Sequence, residues 1–323
     1  LRNYLISSLL ALVICAAPVA VQAAGCPIAD EAVGVVPQLA SFGLTPDFRA
    51  WLEANGYGSW EFARADLEGG GFGGREAPGE VLRNQPVVFV HGNSDRAAGI
   101  GDDGPIGWTA VIAHFLSQGY SPAELYATTW GPADPRRAAE QVHSTENVRR
   151  VRTFMDAVLA YTGAERIDVI AHSMGVTLAR RAILGGDMNG YDLGPPLTVR
   201  IDAFVGIAGA NQGLTACFLA EYQPTCSDDD GLFPGYPSLF GAMGESDFLA
   251  ELNATSGYEG ARVYSIWSRA DQLIGFGGLV YGSYTSRVPG QDGEKVYSGY
   301  PYGHFCVRDL SADVQLEMVR EEP

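Results

Sequence analysis

The stretch Ile167-Asp168-Val169-Ile170-Ala171-His172-Ser173-Met174-Gly175-Val176-Thr177-Leu178 constrains this chain more than any other. A mostly apolar run reads as a buried strand, a helical pattern begins at Met174, and Ser173 sits where the two meet. A turn that sharp brings the backbones before and after it close together. Small residues are needed on both sides, and Ala171 and Gly175 stand there. Glycine is usual at the first of these positions, and a methyl group is the smallest departure from it. Taken alone the pattern is weak, because serine is also a favoured helix N-cap, so the rest of the chain has to decide.

Carboxylates outnumber Lys and Arg 38 to 21, a formal net charge of −17 over 323 residues. Phosphate binding needs clustered cations, so this balance excludes nucleic acid as a partner and disfavours adhesion to anionic headgroups. Residues 1–24 read as a secretory signal: Arg2, the apolar run Leu5 to Val21 broken by Pro18, then Ala23, Ala24 and Gly25. That run is short for a membrane span and no later one is long enough. The mature chain, from residue 25 to 323, is therefore predicted to be one secreted or periplasmic domain without a transmembrane segment.

Of the five cysteines, Cys15 falls within the signal. Cys26, Cys217, Cys226 and Cys306 read as up to two disulfides, with three pairings open. Cys217 with Cys226 closes the shortest loop, which leaves Cys26 for Cys306. A competing reading is that Ala23-Ala24-Gly25-Cys26 resembles a lipoprotein cleavage site, with Ala where Leu is usual. A lipid on Cys26 would anchor the chain and leave Cys306 a free thiol.

Val87-Val88-Phe89-Val90 is a continuous apolar run, as expected of a strand buried on both faces. Further strands are predicted at 125–130, 201–207 and 263–267. Helices are predicted around Phe48, Trp51 and Leu52, over 108–116, from Ser144 to Gly163 and over 309–320. Gly69 to Gly74 reads as a surface loop. The alternation of strands and helices predicts an α/β fold, a mostly parallel sheet with helices on both faces.

The segment 209–260 breaks that rhythm, being long and rich in Gly, Pro, Phe and Tyr. It is expected to form a lid or cap above the carboxyl ends of the strands, where ligands bind in open α/β sheets. Leu232, Phe233, Leu239, Phe240 and Phe248 are its candidates for lining an apolar substrate pocket. The plainer reading is a second small core stapled by Cys217 and Cys226. Asp228-Asp229-Asp230 reads as a solvated acidic turn, because further oxygen ligands for calcium are not evident.

A serine hydroxyl becomes a useful nucleophile only beside a base, with donors ready for the oxyanion it creates. His304 is the one histidine downstream of Ser173, with Gly303 and Phe305 on its flanks. His91 reads as structural, and His114, His143 and His172 as surface or packing residues. Asp271 is the best-placed carboxylate because it follows a strand; Asp247 and Asp292 are the other candidates. The N–H groups of Asn93, after the strand that ends in His91-Gly92, and of Met174 would form the oxyanion hole. No cofactor and no metal are expected.

His91-Gly92-Asn93-Ser94, the segment Leu125 to Trp130, Ala171-His172-Ser173-Met174-Gly175, Asp271-Gln272-Leu273 and Gly303-His304-Phe305 together resemble the class 2 lipases of the α/β-hydrolase superfamily. The chain is also similar, more distantly, to extracellular polyhydroxybutyrate depolymerases, which share the Ala-His-Ser-Met-Gly turn. The resemblance implies an esterase or triacylglycerol lipase with Ser173, Asp271 and His304 as its triad, making transient contact with a lipid interface. A polyester depolymerase using the same triad, and a non-catalytic binding protein on the same fold, are the alternatives.

Overall fold

The computed structural model describes residues 26, 42–99, 106–238 and 241–320; the predicted signal, Leu239 and Phe240 lie outside them. Seven strands form one sheet: β1 (Gly71–Phe72), β2 (Val87–Val90), β3 (Leu125–Thr128), β4 (Ile167–His172), β5 (Ile201–Ile207), β6 (Arg262–Ser268) and β7 (Gly293–Tyr297). Their order is β1-β3-β2-β4-β5-β6-β7; β1 is antiparallel and every other pairing is parallel.

Side chains alternate across a strand, and here both faces are covered. Val88 and Val90 of β2 enter one core with Val169 and Phe204, under helices α3 (Thr145–Thr162) and α4 (Met174–Leu184). Val87 and Phe89 enter the other with Val205 and Ile266, under α2 (Thr109–Ser117) and α7 (Ala312–Arg320). Helix α1 (Pro46–Ala54) adds Phe48 and Leu52 to the first core. Two-sided burial explains why β2 reads as an unbroken apolar run and why β4 and β5 are mostly apolar.

Two edge strands depart from the sequence reading. The Gly69–Gly74 run is not a surface loop: its middle is the buried strand β1, paired with β3. Its glycines are required by close approach, since a Cβ at Gly73 would lie 2.1 Å from the Leu125 carbonyl oxygen and one at Gly69 1.9 Å from that of Ala98. At the opposite edge β7 pairs with β6, and its exposed Glu294 and Lys295 gave no apolar signal.

Both disulfides form, Cys217–Cys226 and Cys26–Cys306. The second corrects the lipid reading, because the Cys26 sulfur is bonded to Cys306, which is then no free thiol. Between β5 and β6, the segment 209–260 carries a hairpin (Tyr236–Ser238 with Gly241–Met243) and helix α5 (Asp247–Asn253). It is pinned to the sheet layer by Arg180 of α4, whose Nε lies 2.8 Å from Glu259, both side chains fully buried.

Asp168 at the start of β4 is buried, its Oδ1 accepting from Ala203 N and Gln85 Nε2 while Oδ2 has no partner among the described residues. Burial pushes its carboxyl up to about 7. Between the unfolded carboxylate value, about 4, and about 7, the native chain holds a proton that the unfolded chain has lost. The contribution of Asp168 to stability therefore falls as pH rises through that window and is flat outside it. Asp168→Asn, which imitates the protonated acid, should abolish that fall. At alkaline pH it should gain up to about 4 kcal/mol over its effect in acid, measured by urea unfolding at both pH values.

Candidate active site

Ser173 stands between β4 and α4 with φ 55° and ψ −132°, a backbone region that non-glycine residues rarely occupy. Its hydroxyl caps nothing, which removes the plain N-cap reading. The turn is as crowded as its small residues imply. A Cβ on Gly175 would come within 2.3 Å of the His91 carbonyl oxygen, and one on Gly92 within 2.8 Å of Ser173 Cβ. The Ala171 methyl fits because it points into the core as an ordinary strand residue.

His304 opens helix α6 (His304–Asp309) directly after Gly303. Its Nδ1 lies 2.7 Å from Asp271 Oδ2, with both side chains 3% exposed. The other Asp271 oxygen accepts from the backbone N–H groups of Leu273 and Ile274, so the carboxylate is fixed before it meets the imidazole. The competing carboxylates are employed elsewhere: Asp247 lies in the first turn of α5, and Asp292 accepts from Val263 N at the start of β6. Ser173 Oγ and His304 make no hydrogen bond in this structure. Such contacts are commonly loose without substrate, and the ring of His172, next to Ser173, is 4.7 Å from that of His304.

Met174, as the first residue of α4, has an N–H with no intrahelical acceptor, and the Asn93 N–H has none among the described residues. The Asn93 loop is braced from several sides. Asn93 Nδ2 donates to Ala138 O, and Asp95 accepts from Arg96 N and Gly107 N and pairs with Arg308 at 2.5 Å. Since Arg308 belongs to α6, this buried ion pair joins the Asn93 loop to the helix that begins with His304.

His91 is a bracket, as expected. Its Nε2 accepts from Trp130 N, Nδ1 donates to Gly92 O, and the Trp130 ring stacks on it at 5.2 Å. Burial holds it neutral, down to about 4. His143 is also internal, stacked on Phe248 at 4.0 Å and bonded to Thr177 and to the Asp230 carbonyl. The Asp228 and Asp229 carbonyls accept from the first amides of α5. No group of three His, Cys, Asp or Glu among the described residues is placed to hold a metal ion.

Leu232, Phe233 and Phe248 are 4, 2 and 5% exposed. Leu232 belongs to the small core of Cys217, Cys226 and Ile274, Phe233 packs against Tyr236, and Phe248 joins the main core beside His143. Three contacts on the His304 unit were not foreseen: Gln272 Oε1 accepts from His304 N, His172 Nε2 donates to His304 O, and Arg308 meets Asp95.

A mostly parallel sheet, a strained serine turn at its centre and an acid–histidine pair at the carboxyl ends of its strands define an α/β-hydrolase. The description of the class 2 lipases matches residues 84–317. The chain belongs to that family. Its fold is similar to that of Aspergillus fumigatus lipase B, with a TM-score of 0.53 and 14% identity over 81% of this chain and 58% of that one. A Paleococcus ferrophilus monoacylglycerol lipase matches with a TM-score of 0.44 and 15% identity, over 77% of this chain and 96% of that one. This chain thus spans little more than half the length of lipase B.

Proposed function

We propose that the protein is a secreted serine hydrolase that cleaves lipid esters through an acyl-enzyme, with Ser173 as nucleophile, His304 as base and Asp271 as the orienting acid. The observation that carries this reading is the buried 2.7 Å Asp271–His304 bond beside a serine held at φ 55°. With Nδ1–H committed to Asp271, Nε2 of His304 is free to take the proton from Ser173 Oγ as that oxygen bonds to the ester carbonyl carbon. The carbonyl oxygen, now anionic, receives the N–H groups of Met174 and Asn93. As the tetrahedral centre collapses, Nε2 gives its proton to the departing alcohol. Water then repeats the sequence on the acyl-serine, with His304 again as base, and the acid leaves. Two disulfides and the apolar N-terminal run support export.

Segment 209–260 is apolar and anionic together. It has eight Asp and Glu and no Lys, Arg or His. Tyr236 and Met243 are cross-strand partners, the Phe218 ring lies 5.8 Å from that of Tyr236, and Leu219 and Tyr222 stand exposed nearby in sequence. Such a face suits an uncharged ester surface and repels an anionic one. Replacing Leu219 and Met243 by Ser should weaken adsorption to a neutral triglyceride emulsion by about tenfold, given about 25 cal/mol per Å2 of apolar contact. Hydrolysis of a soluble short-chain ester should not change.

The exposed aromatic side chains of Tyr222 and Tyr236 favour one second reading, a depolymerase gripping a solid polyester. Fatty acid released from emulsified triglyceride, compared with 3-hydroxybutyrate released from polyhydroxybutyrate, decides between them. Faster fatty-acid release is the expected result, and polymer cleavage alone would replace the lipase reading.

A further inference from the structure

His172 precedes Ser173 on β4 with its ring buried. Nε2 lies 3.0 Å from the His304 carbonyl oxygen, and because a carbonyl only accepts, Nε2 carries the proton. Nδ1 has no partner among the described residues and faces Gly92, where an added Cβ would come within 3.2 Å of it. Trp108 and Phe305 stand at 6.5 and 6.1 Å. Burial keeps the ring neutral, and the neighbouring His304, Arg308 and His91 push the same way.

His304 is thus held at three points. Asp271 holds the ring, Gln272 the N–H and His172 the C=O. The first two partners are adjacent residues on one loop and would move together. His172 is the contact that ties His304 to the strand carrying the nucleophile. We propose that His172 is a positioning residue: its Nε2–H, bonded to the His304 carbonyl, sets the distance and tilt of the His304 ring relative to Ser173. The inference rests on the triad reading. Neutrality belongs to the same role. When His304 takes the serine proton, a second imidazolium with its ring 4.7 Å away would oppose that charge.

The test compares His172→Phe, which fills the ring's space without a donor, with His172→Gln, which keeps one. A misplacement of about 1 Å can cost a hundredfold. The Phe variant should therefore lose roughly 30-fold or more in kcat with KM unchanged, and the Gln variant should recover most of it. A Phe variant with wild-type kcat, or a Gln variant no better than Phe at equal melting temperature, overturns the proposal. A second measurement uses the unmodified protein. Nitrogen-15 NMR of the imidazoles should show His172 as the neutral Nε2–H tautomer from about pH 5 to about pH 9; the Nδ1–H tautomer, or titration in that range, also overturns it. Ser173→Ala separates the two levels. Hydrolysis persisting in that variant would remove the triad reading itself, whereas an inactive Ser173→Ala beside a fully active His172→Phe would remove this inference alone.

Discussion

Ser173→Ala is expected to lower kcat by roughly a hundred-thousandfold or more while leaving the fold intact. The serine hydroxyl makes no capping bond, so its removal leaves no buried group unpaired. The strain at φ 55° is a property of the backbone and persists with alanine. What disappears is the one atom able to form the acyl bond. Residual activity should come from oriented water in the oxyanion site and be insensitive to fluorophosphonate. Single-turnover kinetics on a p-nitrophenyl ester reads this directly.

Asp271→Asn is expected to cost about ten-thousandfold in kcat with little loss of stability. The asparagine carbonyl can still accept from Leu273 N and Ile274 N, as Asp271 Oδ1 does, so the loop keeps its shape. That choice turns the amide NH2 toward His304 Nδ1, where the carboxylate oxygen now stands at 2.7 Å. Facing a donor, Nδ1 must give up its proton, which moves to Nε2. An imidazole protonated at Nε2 cannot accept from Ser173, and no carboxylate remains to steady its cation. Urea unfolding beside steady-state kinetics separates the two effects. Equal losses of stability and rate would mean that Asp271 only holds the loop.

The central architecture was legible because its physical causes are local. Val87-Val88-Phe89-Val90 and residues 203–207 are apolar without alternation since both faces of the sheet are covered. The serine turn announces itself through Gly175, which close approach to the His91 carbonyl demands. The edges were not legible. β1 hides in a glycine run that reads as a loop until Ala98 and Leu125 are seen against it, and β7 needs no apolar face.

In the site, position after a strand was enough to favour Asp271 over Asp247 and Asp292. The supports around it were invisible because they join residues far apart: Gln272 with His304 across 32 positions, His172 with His304 across 132, Asp95 with Arg308 across 213. No periodicity carries such pairs. Of the substrate-pocket candidates, Leu232 lies in the small disulfide-stapled core and Phe248 in the main one. Apolarity marked them as important, but a core uses apolar residues as readily as a ligand does.

The most direct test is to label the wild-type protein with a fluorophosphonate, digest it and locate the adduct by mass spectrometry. One adduct per chain, on Ser173, with hydrolysis lost in proportion to labelling, is the result expected. An adduct elsewhere, or full hydrolytic activity in protein that carries none after prolonged exposure, would contradict the assignment of Ser173 as nucleophile.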